Sequence, residues 1–164
     1  MSNAGDGARV SVLVAVDPVD AFEVFTHEID LWWRRGPAYR IGGRTPGVLA
    51  FEPGVGGRLF ETVGKRTFEI GRVLVWEPGR RLAFEWRGVN FAPGESTRVD
   101  LEFEAREGGT MVTLVHRGWK SLRDDHPARH GNTGTALDRM IGMWWGGLMT
   151  SLREHVEHRA TTPG

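Results

Sequence analysis

The chain has 164 residues, enough for one ordinary domain, and its hydrophobic and charged fractions of 40% and 26% are typical of a folded globular protein. Its 21 Lys and Arg balance 21 Asp and Glu, so no net charge attracts nucleic acid or an anionic membrane. The absence of cysteine excludes disulfides, thiolate metal sites and cysteine nucleophiles. Because no apolar run is long enough to span a membrane, we expect no membrane span and a cytoplasmic protein.

The first predicted elements are a strand and two short helices. Residues 1–8 are small, polar and Gly-rich, which predicts a disordered N-terminus or residues added in cloning. In residues 9–16, alternate valines share one face, as in a β-strand. Asp17 followed by Pro18 indicates a helix start, because Asp caps the first turn and Pro fits it. A second short helix is predicted over residues 27–33.

The middle of the chain is predicted to be an antiparallel sheet. Gly and Pro pairs mark frequent turns there, and segments of strand length lie between them. In the clearest segment, Val99, Leu101 and Phe103 alternate with charged residues, which gives one buried face and one solvent face. The predicted strands are 47–52, 57–62, 67–76, 81–87, 97–105 and 110–117.

The last predicted element is one long helix, from about Ala136 to His158. Its apolar residues recur at steps of three and four. They are Leu137, Met140, Ile141, Trp144, Leu148, Leu152 and Val156. The whole order predicts a single α+β domain over residues 9–159, in which about six or seven strands curve around the C-terminal helix, followed by a tail at 160–164.

Four groups of residues carry a resemblance to a known family. They are Phe25-Thr26 with Trp32-Trp33; Glu52-Pro53 with Gly56-Gly57-Arg58; Gly71, Val73 and Trp76-Glu77-Pro78 with Arg80-Arg81-Leu82; and Thr110, Val112, Leu114, His116 and Gly118-Trp119. Together with the element order, they resemble the START-like (SRPBCC) superfamily and its branch related to the heat-shock-protein-90 ATPase activator, which has many stand-alone bacterial members. The resemblance spans about residues 9–156. It implies the helix-grip fold, and relatives that include polyketide cyclases.

His116 is the candidate catalytic residue. It shares strand parity with Val112 and Leu114, so it is predicted to face the interior with them. A neutral imidazole there either positions or protonates a ligand, or serves as a structural histidine bonded within the core. The sequence leaves both alternatives open, because no second catalytic group is placed beside His116 by spacing.

The remaining titratable candidates are predicted to have structural roles, and all of them except Glu61 are predicted to lie at the surface. Glu61, Glu69 and Glu85 fall in predicted strands, where a general base is possible but salt bridges with arginines are expected. The pairs His126/His130 and His155/His158 have helical spacing without a third metal ligand. We therefore expect no metal and no cofactor.

Aromatic and Met side chains from several elements, with Leu114 and His116, are predicted to line an apolar cavity between sheet and helix. The predicted ligand-binding residues are Trp33, Tyr39, Phe60, Phe84, Trp86, Phe103, Leu114, His116, Met140, Met143 and Trp144. The expected partner is a small hydrophobic or aromatic molecule, bound by a carrier or sensor that is a monomer or homodimer. The alternatives are a polyketide cyclase-like or hydratase-like enzyme with metal-free acid–base chemistry, and a co-chaperone-like interaction module.

Overall fold

The computed structural model describes residues 4–88 and 90–161 and shows the predicted α+β helix-grip architecture. Its elements are β1 (Ala8–Val14), α1 (Pro18–His27), α2 (Ile29–Trp32), β2 (Val48–Phe51), β3 (Arg58–Val63), β4 (Arg66–Glu77), β5 (Arg81–Trp86), β6 (Thr97–Arg106), β7 (Gly109–Arg117) and α3 (Gly134–Thr161). Two short 3-10 turns, Trp119–Ser121 and Pro127–Arg129, lie between β7 and α3. In these residues, no helix is long and apolar enough to cross a membrane.

The sheet is antiparallel throughout, in the order β1-β7-β6-β5-β4-β3-β2. Its register places apolar residues side by side on the inner face. Val10 pairs with Leu114, Leu114 with Leu101, and Leu101 with Leu82. The alternation predicted for the strand around Leu101 is thereby confirmed, because Val99, Leu101 and Phe103 are all buried.

Helix α1 closes one end of the sheet. Its N-cap is Asp17, whose carboxylate accepts a hydrogen bond from the Asp20 backbone N–H at 2.8 Å, as the sequence predicts. Phe22 and Phe25 on its inner side are fully buried, and their rings lie 5.3 and 6.3 Å from the ring of Phe103 in β6. These contacts attach the helix to the sheet.

Helix α3 lies along β1 and packs its apolar stripe onto the sheet. The fully or nearly fully buried residues of the stripe are Leu137, Ile141, Trp145, Leu148, Met149, Leu152 and Val156. The prediction was wrong for Met140 and Trp144, which are half-buried. Both tryptophans have helical spacing from Ile141 and Leu148, but Trp145 packs into the core and Trp144 lies at the edge of the stripe against Tyr39.

Residues 4–8 make defined contacts with the rest of the domain, in contrast to the disorder predicted for residues 1–8. Residues 1–3 lie outside the described residues, but the backbone N–H groups of Gly5 and Gly7 donate to the Asp138 carboxylate at 2.8 and 3.0 Å. Gly7 has φ +142°, and a Cβ there would lie 1.7 Å from the His116 carbonyl oxygen, so only glycine fits. At the other end, α3 continues to Thr161, and residues 162–164 lie outside the described residues.

Candidate functional site

Four tryptophans from three parts of the chain meet between the sheet and the middle of α3. Trp33 follows α2, Trp86 ends β5, and Trp144 and Trp145 belong to α3; we call this group the aromatic cluster. Their ring centroids are 5.0–6.3 Å apart. Trp33 and Trp86 are nearly parallel, with 23° between their planes, and the other pairs meet edge to face.

A loop without helix or strand covers the outer side of the aromatic cluster. It comprises residues 34–47, and we call it the covering loop. Tyr39 stacks on Trp144 with a centroid distance of 5.4 Å and an angle of 27°. The Trp144 indole N–H donates to the Ala38 carbonyl at 2.7 Å, and the Trp33 indole N–H donates to the Tyr39 carbonyl at 2.9 Å. Residues 38–39 therefore rest directly on the cluster.

The covering loop is anchored at its base by Arg40, which is buried although it is charged. Its guanidinium donates to Asp30 Oδ1 at 2.6 Å and to the backbone carbonyls of Asp30, Trp33 and Arg34 at 3.0–3.1 Å. Burial alone would raise the pKa of Asp30, but hydrogen bonds from Arg40 and the Leu49 N–H outweigh it, and the pKa is lowered. Asp30 is thus held as a carboxylate.

Glu61 is the second anchor, and it binds backbone N–H groups instead of forming the expected salt bridge with an arginine. The carboxylate is buried and accepts hydrogen bonds from the backbone N–H groups of Ile41 and Gly42 at 3.0 and 2.7 Å. A Cβ at Gly42 or Gly47 would lie 3.1 Å from Glu61 Oε2, so the loop backbone passes close to this carboxylate. Glu61 therefore holds the loop in place and is not a general base exposed to a ligand. Glu69 pairs with Arg72 at 2.8 Å, and Glu85 is half-buried.

His116 is buried, with an exposed fraction of 2%, and both ring nitrogens are used. The Trp145 indole N–H donates to Nδ1 at 2.9 Å; because indole nitrogen is only a donor, Nδ1 accepts and Nε2 carries the proton. Nε2–H then donates to Thr97 Oγ1 at 2.7 Å, and the Thr97 hydroxyl reaches the Trp86 carbonyl at 3.4 Å. Of the two alternatives for His116, this geometry favours the structural one.

The surroundings of His116 are aromatic and uncharged. Its ring centroid lies 5.1 Å from that of Trp119, 5.7 Å from Trp86 and 6.0 Å from Trp145. Burial therefore lowers the pKa of His116 to about 3, against an ordinary value of 6.5. The imidazole is neutral at physiological pH.

The low pKa of His116 predicts a specific loss of stability in acid. Below pH 6.5 the unfolded chain takes up a proton at this residue, whereas the folded protein does not take one up until about pH 3. The free energy of unfolding therefore decreases as the pH is lowered from 6.5 to 3. Between pH 7 and 4.5 the contribution is about 2 kcal/mol. We expect His116→Gln, whose amide can accept from Trp145 and donate to Thr97, to lose this dependence in urea unfolding. Parallel pH profiles of variant and wild type would contradict the assignment.

The other predicted lining residues divide into three groups. Phe84, Phe103 and Leu114 are buried in the core beside α1 and α3. Phe60 is a correction: it lies on the outer face of the sheet, with the Arg58 guanidinium 4.9 Å from its ring, because Leu59 and Glu61 take the inner positions. Met143 is a second correction, since it points to solvent with an exposed fraction of 72%. Met140 is half-buried and accepts a hydrogen bond from Asn132.

The predicted apolar space is filled by side chains at the aromatic cluster. The tryptophan rings and His116 occupy the region between α3 and the sheet. An open depression of about 460 Å³ lies elsewhere, between β1 and the C-terminal half of α3. It is lined by Ser11, Val12, Leu13, Ala15, Gly108, Met111, Arg153 and Glu157, none of them predicted lining residues.

The histidine pairs do not form metal sites in the described part of the chain, where no three His, Cys, Asp or Glu side chains could hold an ion together. His126 corrects its predicted surface position: it is buried, and its Nε2 lies 3.0 Å from Glu95 while Nδ1 accepts from the Ala128 N–H. His155 contacts Glu28 at 3.0 Å. These histidines tie loops and helices together.

Sequence reasoning missed Trp145, Trp119 and Arg40. The four-residue step from Ile141 to Trp145 was a usable signal, but the neighbouring Trp144 fitted the chosen stripe as well. No sequence signal distinguishes Arg40 from the exposed arginines. Trp119 is buried, and among the described residues its indole N–H has no hydrogen-bond acceptor.

Comparison with known proteins gives the family. The sequence model described as "Activator of Hsp90 ATPase homolog 1-like protein" matches residues 15–143. The chain belongs to this family. The resemblance carried by the sequence motifs is thereby confirmed. Among curated proteins none matches the chain.

Several solved structures share the fold of this family member. Protein MLL2253 from Mesorhizobium loti matches with a TM-score of 0.64 and 19% identity over 94% of this chain and 98% of that one. PFC0360w, an HSP90 activator from Plasmodium falciparum, has a TM-score of 0.64 and 16% identity, with coverages of 93% and 97%. The anthrahydroquino-gamma-pyrone synthase Txn09, solved as a complex, has a TM-score of 0.58 and 26% identity, with coverages of 94% and 99%.

Proposed function

We propose that this family member binds a small, flat, hydrophobic aromatic molecule at the aromatic cluster, beneath the covering loop. One observation carries the proposal: the stacked rings Trp144 and Tyr39 on the loop side are only half-buried, although Trp33 and Trp145 next to Trp144 are buried. A 14-residue loop without regular structure, lying across partly exposed aromatic rings, is typical of a lid over a binding site.

The energetics favour opening of the loop tip without unfolding of its base. The tip is held by two neutral hydrogen bonds, from Trp144 to the Ala38 carbonyl and from Trp33 to the Tyr39 carbonyl, and by the ring contact of Tyr39 with Trp144. Each is worth about 0.5–1.5 kcal/mol. The base is held by the charged groups Arg40 and Glu61. A ligand that replaces Tyr39 on Trp144 regains the lost ring contact, so it needs to offset only about 1–3 kcal/mol.

The arrangement of the rings supports a flat ligand. Trp33 and Trp86 present nearly parallel planes, and Trp144 meets both edge to face. A flat aromatic molecule that takes the place of Tyr39 can stack on Trp144 as Tyr39 does, whereas a bulky aliphatic one cannot. The similar protein Txn09 is an anthrahydroquino-gamma-pyrone synthase, and a molecule of that fused-ring type fits this geometry.

Binding, as by a carrier or sensor, is favoured over catalysis. Both ring nitrogens of His116 form hydrogen bonds to other side chains. The Glu61 carboxylate accepts hydrogen bonds from two backbone N–H groups. An acid–base enzyme needs a group that is free to exchange a proton with its substrate. A cyclase would lose turnover but keep its ligand affinity on replacement of His116 by Gln, which distinguishes the two alternatives.

The proposal predicts binding of a neutral fused-ring probe. Anthracene-2-carboxamide, followed by energy transfer from the tryptophans, is expected to bind with a Kd of about 1–10 μM. Trp144→Ala removes the ring on which the probe stacks and should weaken binding about tenfold, a loss of about 1.4 kcal/mol.

Met143→Ala is the matched control, because Met143 precedes Trp144 on the same helix but points to solvent. It should leave the Kd unchanged. The proposal would be refuted if the wild type did not bind the probe at concentrations about 100-fold above the expected Kd. It would also be refuted if Trp144→Ala and Met143→Ala had equal affinities, and the interaction-module alternative would then remain.

A further inference from the structure

A notch at the edge of the covering loop brings two polar side chains against a glycine of α3. A Cβ built on Gly147 would lie 3.1 Å from Arg34 Nη1 and 3.1 Å from the Tyr39 hydroxyl. The Arg34 guanidinium also lies 5.8 Å from the centre of the Tyr39 ring. We call this arrangement of Arg34, Tyr39 and Gly147 the Gly147 notch. It adjoins the aromatic cluster, because Tyr39 stacks on Trp144.

The donors of the Gly147 notch have no hydrogen-bond partner in the part of the chain that the structure describes. Among the described residues, neither the Arg34 guanidinium nor the Tyr39 hydroxyl makes a hydrogen bond, and no carboxylate lies within 4.0 Å of Arg34. The neighbouring Arg35 and Arg40, by contrast, both pair with Asp30. The notch therefore offers a positive charge and a phenolic O–H beside an apolar aromatic surface.

Gly147 makes the notch possible. In the interior of a helix, glycine is less favourable than alanine, and here its lack of a side chain leaves the room that Arg34 and Tyr39 occupy. A carboxylate on an aromatic ring suits this pair, since the guanidinium is cationic and both groups donate hydrogen bonds.

We infer that the ligand of this protein is an aromatic carboxylic acid, whose ring lies on the aromatic cluster and whose carboxylate binds Arg34 and Tyr39 in the Gly147 notch. This inference rests on the proposed function for the ring, and it adds the chemical class of the ligand. Arg34 is then a residue that determines specificity, and it selects anionic over neutral molecules of the same shape.

Two probes of the same shape test the inference. Wild-type protein is expected to bind anthracene-2-carboxylate about threefold to tenfold more tightly than anthracene-2-carboxamide, and added salt should reduce this preference. Arg34→Gln should abolish the preference, because the affinity for the carboxylate falls to the level of the affinity for the carboxamide. Arg44→Gln, which removes the same charge from the same loop, is the control and should keep the preference.

Gly147→Ala gives an independent readout. Alanine favours the helix, so the thermal midpoint should stay the same or rise, while the new Cβ displaces Arg34 and Tyr39 and lowers the preference for the carboxylate. Equal binding of the two probes by the wild type, or an Arg34→Gln variant that keeps the preference, overturns the inference and leaves the proposed function standing. If neither probe binds, both the inference and the proposed function are overturned.

Discussion

Replacement of Leu148 by Ala is expected to lower the free energy of unfolding by about 2–5 kcal/mol. Leu148 is completely buried in the middle of α3, where the helix packs its apolar stripe onto the sheet. Removal of the isobutyl group loses its transfer free energy and leaves a cavity that the sheet and the rigid neighbour Trp145 are poorly placed to fill. Urea unfolding at neutral pH measures the loss.

Glu157→Ala is the control for this prediction. Glu157 lies on the exposed face near the end of the same helix, so its replacement should change the free energy of unfolding by no more than about 0.5 kcal/mol. Similar losses for Leu148→Ala and Glu157→Ala would mean that α3 presents a different face to the sheet.

Replacement of Arg40 by Ala is expected to cost about 2–4 kcal/mol. The guanidinium makes four hydrogen bonds, one to the carboxylate of Asp30 and the others to backbone carbonyls at the end of α2 and the start of the covering loop. Its removal leaves those buried acceptors without a partner. The Asp30 carboxylate would still accept hydrogen bonds from Arg35 and from the Leu49 N–H. The loss of unfolding free energy is therefore smaller than for an isolated buried ion pair.

Arg35→Ala is the matched control for Arg40→Ala. Both arginines bind Asp30, but the Arg35 side chain is 60% exposed and the Arg40 side chain 3% exposed. An exposed ion pair contributes little, so Arg35→Ala should cost less than about 1 kcal/mol. If the two variants were equally stable, Arg40 would not be the anchor of the covering loop.

Periodicity in the sequence was sufficient for the sheet and most of α3. Strict alternation places Val99, Leu101 and Phe103 on one face of a strand whichever partner the strand has, because successive side chains always point to opposite sides. The helical steps identified Leu137, Ile141 and Leu148 in the same way. The direction of His116 was also predicted correctly, because it lies two residues after Leu114 in the same strand and so points to the same, inner face.

Periodicity failed where the packing partner decides which neighbour is buried. Trp144 and Trp145 are adjacent, and either one extends the apolar stripe of the helix. The position of the sheet and of the covering loop gives Trp145 the core and Trp144 the edge. The prediction for Phe60 was wrong for the same reason. In β3 the charged Glu61 occupies an inner position together with Leu59, so Phe60 between them points to the outer face of the sheet.

The sequence by itself thus determined the strands, the helices and the faces that most of them bury. Only the tertiary structure decided that Arg40 and Glu61 are buried, and what the buried polar groups bind. Arg40 meets Asp30 ten residues away, Glu61 meets Ile41 twenty residues away, and His116 meets Trp145 twenty-nine residues away. A polar side chain is stable in the interior only when its hydrogen bonds are satisfied, and local periodicity contains no information about partners from distant segments.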